Sequence, residues 1–345
     1  MGDNKKVIIV FALIALLLIA FVVWAFVFLS SAAFPSLHIG EMIGNISEAL
    51  FPTVLSEYRP YHVMTIDYAV GDAVLRNGWI YFAGIQDGMI LVERMRPDTS
   101  HREVVAEMSA AESAELVIGL DLTGDGQIRL LIQDSAFGGR ILYAAYSRAG
   151  RLRSERELET PSFFAARANI NRFISTFMAD GSILIDGHDA VTCDVFLYTF
   201  DADGHLIGFL ASDCGSSAQT RDGRALSFRW ERQSVYEFDF VTGIWDEGSF
   251  LSVYIIRRLY TATDASGFDL YIDAELDKDG TTILAGYDWE SDTFTRLLNW
   301  DELGFRPRGR DSTIMLPDRM VLFRRSESYS GPTIVMALPY EARIY

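Results

Sequence analysis

The chain is short of positive charge, of cysteine and of the short motifs that usually name an activity. Its 345 residues hold 30 Lys plus Arg against 47 Asp plus Glu, a net charge of −17 at pH 7. Lys5, Lys6 and Lys278 are the only lysines, so nearly every cation is an arginine. This balance argues against nucleic acid as a partner, because displacing phosphate counterions needs a basic footprint. Two cysteines, Cys193 and Cys214, are too few for a disulfide-stapled miniprotein. No Gly-x-Gly-x-x-Gly, Walker loop, Gly-x-Ser-x-Gly elbow or Ser-x-x-Lys occurs, so nucleotide and hydrolase readings lack their usual warrants. The five histidines, His38, His62, His101, His188 and His205, show neither a His-x-x-x-His pair nor a Cys partner at zinc spacing. No cofactor is expected, no metal is assigned, and no catalytic set can be named.

Apolar residues are abundant: half the chain is hydrophobic and 13% is aromatic, which excludes a disordered or collagen-like chain. The longest apolar run, Val7 to Leu29, has no charge and no Pro. Its 23 residues make roughly 35 Å of helix, enough to cross a bilayer core. Lys5 and Lys6 precede it, and the next charge beyond it is Glu41, which keeps the N-terminus cytoplasmic and sends the remainder outside. An uncleaved anchor is preferred to a cleaved signal peptide, whose apolar core is usually shorter. Residues 1–33 are therefore read as cytoplasmic N-terminus and transmembrane anchor, in contact with the membrane, leaving −18 on residues 34–345. Over residues 34–60, Ile39, Met42, Ile43, Ile46, Leu50 and Leu55 recur at steps of mostly three or four, the stripe of a helical stalk.

From Tyr61 onward the texture changes to runs of four to eight β-formers parted by Gly, Asp and Asn turns. A turn followed by a strand recurs: Asn77-Gly78-Trp79-Ile80, Asp125-Gly126-Gln127-Ile128, Asp180-Gly181-Ser182-Ile183, Asp222-Gly223-Arg224-Ala225, Ser266-Gly267-Phe268-Asp269 and Asp318-Arg319-Met320-Val321. Taking Gly78, Gly126, Gly181, Gly223, Gly267 and Arg319 as markers, the intervals are 48, 55, 42, 44 and 52 residues. Secondary turns at Gly150, Gly204 and Gly243 make each unit two hairpins. A four-stranded unit repeated about six times without helical patterns between copies predicts an all-β fold, a β-propeller over residues 61–345. A ring of this kind needs closure, so the strand-like ends, Tyr61 to Ile66 and Thr333 to Leu338, are expected in one blade or in neighbouring ones.

Segments such as Val235-Tyr236-Glu237-Phe238-Asp239-Phe240-Val241-Thr242-Gly243-Ile244-Trp245 and Val195-Phe196-Leu197-Tyr198-Thr199-Phe200-Asp201-Ala202-Asp203-Gly204 resemble the hairpins of bacterial propellers of the quinoprotein-like and NHL-like groups. An anchor followed by such a propeller is similar to the region that precedes some large bacterial extracellular solute-binding proteins. The resemblance implies a membrane-anchored binding module for a protein or small molecule, with a transporter component among the candidate partners. The alternative is a propeller lyase or hydrolase with its site at the central channel.

Several residues carry two readings each. Asp121, Thr123 and Asp125 keep the alternate spacing of calcium loops, but Arg129 stands where the last acidic ligand would be, which favours a plain hairpin turn. Gly187-His188-Asp189 and Asp203-Gly204-His205 put imidazoles beside carboxylates, as acid–base chemistry or simply a solvated turn would. Trp79, Trp230, Trp245, Trp289 and Trp300 fit interblade packing better than an exposed binding face. Arg257-Arg258 and Arg324-Arg325 suit either an anionic ligand or the acidic surroundings. Cys193 and Cys214, 21 apart, are either bridged or separately buried thiols.

Overall fold

A computed structural model of the chain describes residues 61–345 apart from 135–139, 159–169, 179, 190–194, 213–214, 230–233, 241, 249–253, 264–265, 277–280, 292, 309–310, 327–330, 341–342 and 345. The expected anchor and stalk, over 1–33 and 34–60, and both cysteines lie outside these residues. Among the described residues, no helix is long and apolar enough to cross a membrane.

The strands form six antiparallel sheets. Blade 1 is β2 (Val70–Arg76), β3 (Trp79–Gln86), β4 (Met89–Met95) and β5 (Arg102–Ser109). Blade 2 is β6 (Ala114–Leu122), β7 (Ile128–Asp134), β8 (Arg140–Tyr146) and β9 (Leu152–Glu157). Blade 3 is β10 (Ile170–Phe177), β11 (Ile183–Asp189), β12 (Val195–Phe200) and β13 (Leu206–Ser212), and blade 4 is β14 (Gly215–Gln219), β15 (Ala225–Arg229), β16 (Ser234–Asp239) and β17 (Ile244–Gly248). Blade 5 is β18 (Tyr254–Tyr260), β19 (Leu270–Leu276), β20 (Thr282–Asp288) and β21 (Thr293–Asn299). After a helical turn, α1 (Trp300–Leu303), blade 6 adds β22 (Ser312–Met315), β23 (Arg319–Arg325) and β24 (Thr333–Pro339). Its fourth strand is β1 (His62–Ile66), from the other end of the described chain, with Thr65 opposite Ile334. The closure expected of the two end segments is met within a single blade. A short β25 (Arg343–Ile344) then lies along β21 as a fifth strand of blade 5, which the sequence pattern did not indicate.

The apolar pattern explains the arrangement. In β3 the run Ile80, Tyr81, Phe82, Ala83 is buried without alternation, because both faces of the sheet are covered. The hydrophobic core is accordingly divided into six clusters, one per junction. Ala83 and Val92 of blade 1 meet Leu120 and Leu130 of blade 2, and Leu131 and Tyr143 meet Ile185 and Phe200 of blade 3. Leu184 and Leu197 face Phe238 and Trp245 of blade 4, and Phe228 and Val235 face Ile272 and Tyr287 of blade 5. Tyr271 and Leu284 meet Met320 and Met336 of blade 6, while Phe323 and Val335 return to Phe82 and Ile80 of blade 1. The Phe82 and Phe323 rings, 5.4 Å apart, hold the closing junction together, each worth about 1.5–3 kcal/mol of burial.

The marker turns at Gly78, Gly126, Gly181 and Gly223 join the first strand of a blade to the second, all with left-handed φ. Those at Gly150, Gly204 and Gly243 join the third to the fourth, so in an up-and-down sheet both sets lie on one face of the ring. Gly267 departs from the series: its φ is not left-handed, and the connection it occupies, between β18 and β19, is longer, closed by the Ser266 N–H on the Thr263 carbonyl (2.8 Å). The opposite face carries most of the longer connections, including that from β21 to β22.

The first strands β2, β6, β10, β14, β18 and β22 stand innermost, with the closest approach between β2 and β6. A Cβ on Gly71 would stand 1.6 Å from the Val117 carbonyl oxygen, so only glycine allows the β2–β6 approach. Gly71→Ala is expected to cost a few kcal/mol, lowering a single cooperative melting transition and loosening hydrogen exchange in blade 4 as well as in blades 1 and 2. Gly124→Ala, which meets nothing within 4 Å, should leave the transition within a degree or two. Loss of protection confined to blades 1 and 2 would contradict a mechanically closed ring.

Candidate functional site

The structure distributes the sequence candidates unevenly. Asp121, the penultimate residue of β6, is 1% exposed and is held by two guanidiniums: Arg76 Nη2 donates to Oδ1 at 3.1 Å and Arg129 Nε to Oδ2 at 2.9 Å. The Thr123 hydroxyl donates to Asp125, and its oxygen accepts the Gln127 N–H at 3.0 Å. Those hydrogen bonds are what a hairpin turn requires, and Arg129 occupies Asp121 in place of a cation ligand set. Among the described residues, no group of three or more His, Cys, Asp or Glu side chains converges as metal ligands would. His205 lies exposed beside Asp201 and His101 beside Glu103, both on the rim, and His188 sits in the β10–β11 ladder opposite Arg172.

The tryptophans are packing residues. Trp79 lies under Arg94 and Arg96 at 4.2 and 4.5 Å, Trp245 stacks near Phe238, Trp289 lies under Arg224 at 4.1 Å, and Trp300 is buried; Trp230 is outside the described residues.

What the fold does bring together is a belt of charged and hydroxyl side chains across the junctions of the inner part of the ring, from every blade but blade 2, which supplies the backbone groups of Ile118 and Leu120. Asp72 of β2 accepts the Leu120 N–H of β6 on Oδ2 (2.9 Å) and the Ala73 N–H on Oδ1 (2.8 Å). The Ser175 hydroxyl of β10 donates to the Ile118 carbonyl (2.7 Å), and Asp186 of β11 accepts both the N–H and the hydroxyl of Ser217 on β14 (3.1 and 2.6 Å). In β18 a bulge at Arg257 lets two successive arginines serve different tasks: Arg257 pairs with Glu275, and Arg258 donates from Nη1 to the Arg308 carbonyl (2.8 Å). Asp311 accepts the N–H groups of Arg308 (2.7 Å) and Arg325 (3.3 Å). Thr333 closes the circle, accepting from the Val70 N–H and donating to the Tyr68 carbonyl (2.8 and 2.9 Å). Both arginine pairs singled out in the sequence thus lie on the adjoining blades 5 and 6.

Burial sets the electrostatics of the belt. It pushes the Asp72 carboxyl up to about 7, against the pull of the two N–H groups and of Arg325. It pushes Asp186 up to about 6, against the Ser217 bonds and the charge of Arg258. Asp273 also rises to about 6; its oxygens are fully used, Oδ2 by the Tyr260 hydroxyl (2.6 Å) and Oδ1 by Trp300 Nε1 (2.7 Å). The Tyr260 hydroxyl is held well above its ordinary range by burial and by Asp273. Such an arrangement can bind polar solutes, and its titratable groups can exchange protons near neutrality.

A carboxyl raised by burial binds protons in the native state that the unfolded chain has already released, so it withdraws stability as pH rises from about 4 to about 7. The full swing is roughly 1.4 kcal/mol per pKa unit. Asp72→Asn removes this contribution at the cost of one N–H acceptor. Its Tm relative to the parent should therefore improve by several degrees between pH 4.5 and pH 8. A difference that stays constant over that range would mean that Asp72 titrates like an ordinary carboxylate.

No protein-family model matches the chain, and no curated protein matches it. Solved structures similar to it include virginiamycin B lyase from Staphylococcus aureus, at 9% identity and TM-score 0.43, covering 80% of this chain and 98% of that one. Others are the calcium-binding protein regucalcin from Agrobacterium tumefaciens (11%, TM-score 0.45, 82% and 96%) and the PQQ-bound aldose sugar dehydrogenase from Streptomyces coelicolor (10%, TM-score 0.45, 81% and 97%). At these values the likenesses carry no argument about the site, and the six-bladed propeller stands on its own strand pairing.

Proposed function

We propose that the protein is a membrane-anchored, extracytoplasmic propeller that binds a small polar ligand at its central channel, in association with solute uptake. The observation that supports the reading is the belt itself: Asp72, Asp186, Ser217, Arg258 and Asp311, from blades 1, 3, 4 and 5 and the connection into blade 6, set polar and charged side chains along the inner part of the ring, where a polar ligand would meet them. The apolar run Val7 to Leu29, with Lys5 and Lys6 before it, supports the anchor and the outward orientation. A second reading, a lyase or hydrolase, draws on one feature: Asp72 is half-buried and titrates near neutrality, as a general base or acid would.

The experiment is a thermal-shift screen of the full-length protein in detergent against sugars, amino acids, organic acids and peptides. One class should raise Tm in proportion to the logarithm of its concentration, with about 2.7 kcal/mol of stabilisation at a hundred times Kd. The shift should vanish in Arg258→Gln and persist in the rim variant Leu152→Ser. Conversion of that ligand to a product, lost in Asp72→Asn, would favour the enzyme. No shift with any class would remove the binding reading. The orientation is checked separately: protease added to spheroplasts should digest residues 61–345, and complete protection would refute the extracytoplasmic placement.

A further inference from the structure

We propose that the outer edge of blade 3, strand β13, pairs with the same strand of a second copy, antiparallel across a two-fold axis, so that the protein forms a concentration-dependent dimer. Each sheet of the ring has an outer edge, and a strand edge presents N–H and C=O groups to any other chain able to pair with it. In blade 5 that edge is already covered: β25 lies along β21, with Ile344 opposite Thr295. A blade of this protein therefore accepts a further strand on its rim.

The remaining edges differ in how they are guarded. β5 carries Arg102, Glu103 and Glu107, β9 carries Arg153, Glu155, Arg156 and Glu157, and β17 carries Asp246 and Glu247. β1 is only five residues long. β13, Leu206-Ile207-Gly208-Phe209-Leu210-Ala211-Ser212, has seven residues with no charge and no Pro. It ends the strand order of its sheet, and no described strand pairs along its outer side. A bulge opposite Thr199 and Phe200 absorbs Ile207, while Gly208 to Ser212 keep regular register with β12, the length of an ordinary pairing strand.

The side chains at this edge are apolar as well. Ile207 is 36% exposed and Phe209 48%, and on the adjoining blade 4 Phe240 is 37% exposed and Ile244 57%. The two rims touch: a Cβ on Gly243, in the turn between Phe240 and Ile244, would lie 2.9 Å from the Ile207 carbonyl oxygen. The other exposed large apolar side chains among the described residues, Val104 and Leu152, stand singly in the charged strands β5 and β9.

Charge selects the occupant. Two copies of a chain with net charge −17 repel one another, so they meet closely only where neither brings a charge. β13 against β13 meets that condition, and antiparallel pairing of a strand with its own copy satisfies the open backbone groups of both. A charged partner strand would find no counter-charge on β13. The contact is narrower than the roughly 800 Å² per partner of a standard interface, so the dimer dissociates on dilution.

The test is sedimentation equilibrium of the full-length protein in detergent over about a hundredfold range of concentration, at about 50 and about 500 mM NaCl. Monomer and dimer should exchange with concentration, and the higher salt should tighten the dimer by screening the repulsion between copies. Amide exchange over residues 206–212 should slow as the dimer fills. Phe209→Lys and Phe209→Glu should each weaken the dimer at least tenfold, because the two-fold axis sets each new charge near its own copy. Mixing the two variants should restore it as a heterodimer. Ile207→Lys should weaken it likewise, and Leu152→Lys, on the rim of blade 2, should not, with melting curves showing which variants fold. The salt and exchange measurements use the unaltered protein, so they decide the matter even if a variant misfolds. A monomer at every concentration would overturn the proposal. A dimer untouched by the β13 variants, or a Lys and Glu mixture that stays monomeric, would place the contact elsewhere. Weakening by salt would mean an ionic contact, and β13 amides protected at all concentrations would mean that another segment of the same chain covers the edge; each of these also overturns it.

Discussion

Everything in this molecule depends on the fact that a four-stranded sheet of mostly apolar residues has two faces to bury and cannot bury either alone. Each blade is therefore a cover for its neighbours, and the six clusters of buried side chains are shared property: Phe82 belongs to the junction with blade 6, Ala83 to the junction with blade 2. A linear stack would leave its two outer sheets bare. Bringing β1 into blade 6 removes those ends, so one antiparallel pairing between distant parts of the chain makes the burial of all six sheets mutual.

The same crowding accounts for the polar belt. Inner strands approach too closely for large side chains, most of all where Gly71 meets Val117, so backbone groups near the axis are partnered by short polar side chains reaching across junctions. Asp72 serves Leu120, Ser175 serves Ile118, Asp186 serves Ser217, and Thr333 serves Val70 and Tyr68. Carboxylates used in this way lose hydration, which is why Asp72 and Asp186 rise toward neutrality despite their hydrogen bonds; Asp273, buried against Tyr260 and Trp300, rises for the same reason. Architecture and chemistry are therefore joined at these residues. A group that ties blades also lines the axis, and a ligand at the axis would touch the ties.

The surface follows a different economy. Arginine supplies almost all the cations, and many are spent on aromatic rings or on a nearby carboxylate: Arg94 and Arg96 over Trp79, Arg224 over Trp289, Arg129 and Arg76 on Asp121. A planar guanidinium can stack and pair at once, which a lysine cannot, and this gives the near-absence of lysine outside the N-terminus a structural use. Asp121 is the instructive case. Its spacing with Thr123 and Asp125 suits a cation, and the cation that occupies it is a side chain from the next strand.

Local order was legible in the residues themselves. Alternating and continuous apolar runs specify strands, Asn-Gly and Asp-Gly specify the turns, and their recurrence at 42 to 55 residues counts the blades, because these signals act between near neighbours in sequence. The need for closure, and the two segments that supply it, followed from the same pattern. What only the tertiary structure decided is which side chains meet across junctions. Asp72 and Leu120, Asp186 and Ser217, or Arg258 and Arg308 are brought together by the stacking of separate sheets and by bulges at Gly71 and Arg257, neither of which leaves a periodic trace. The blades are thus written in local periodicity, whereas the belt exists only where six of them converge, because contacts between sheets depend on backbone approach and not on spacing along the chain.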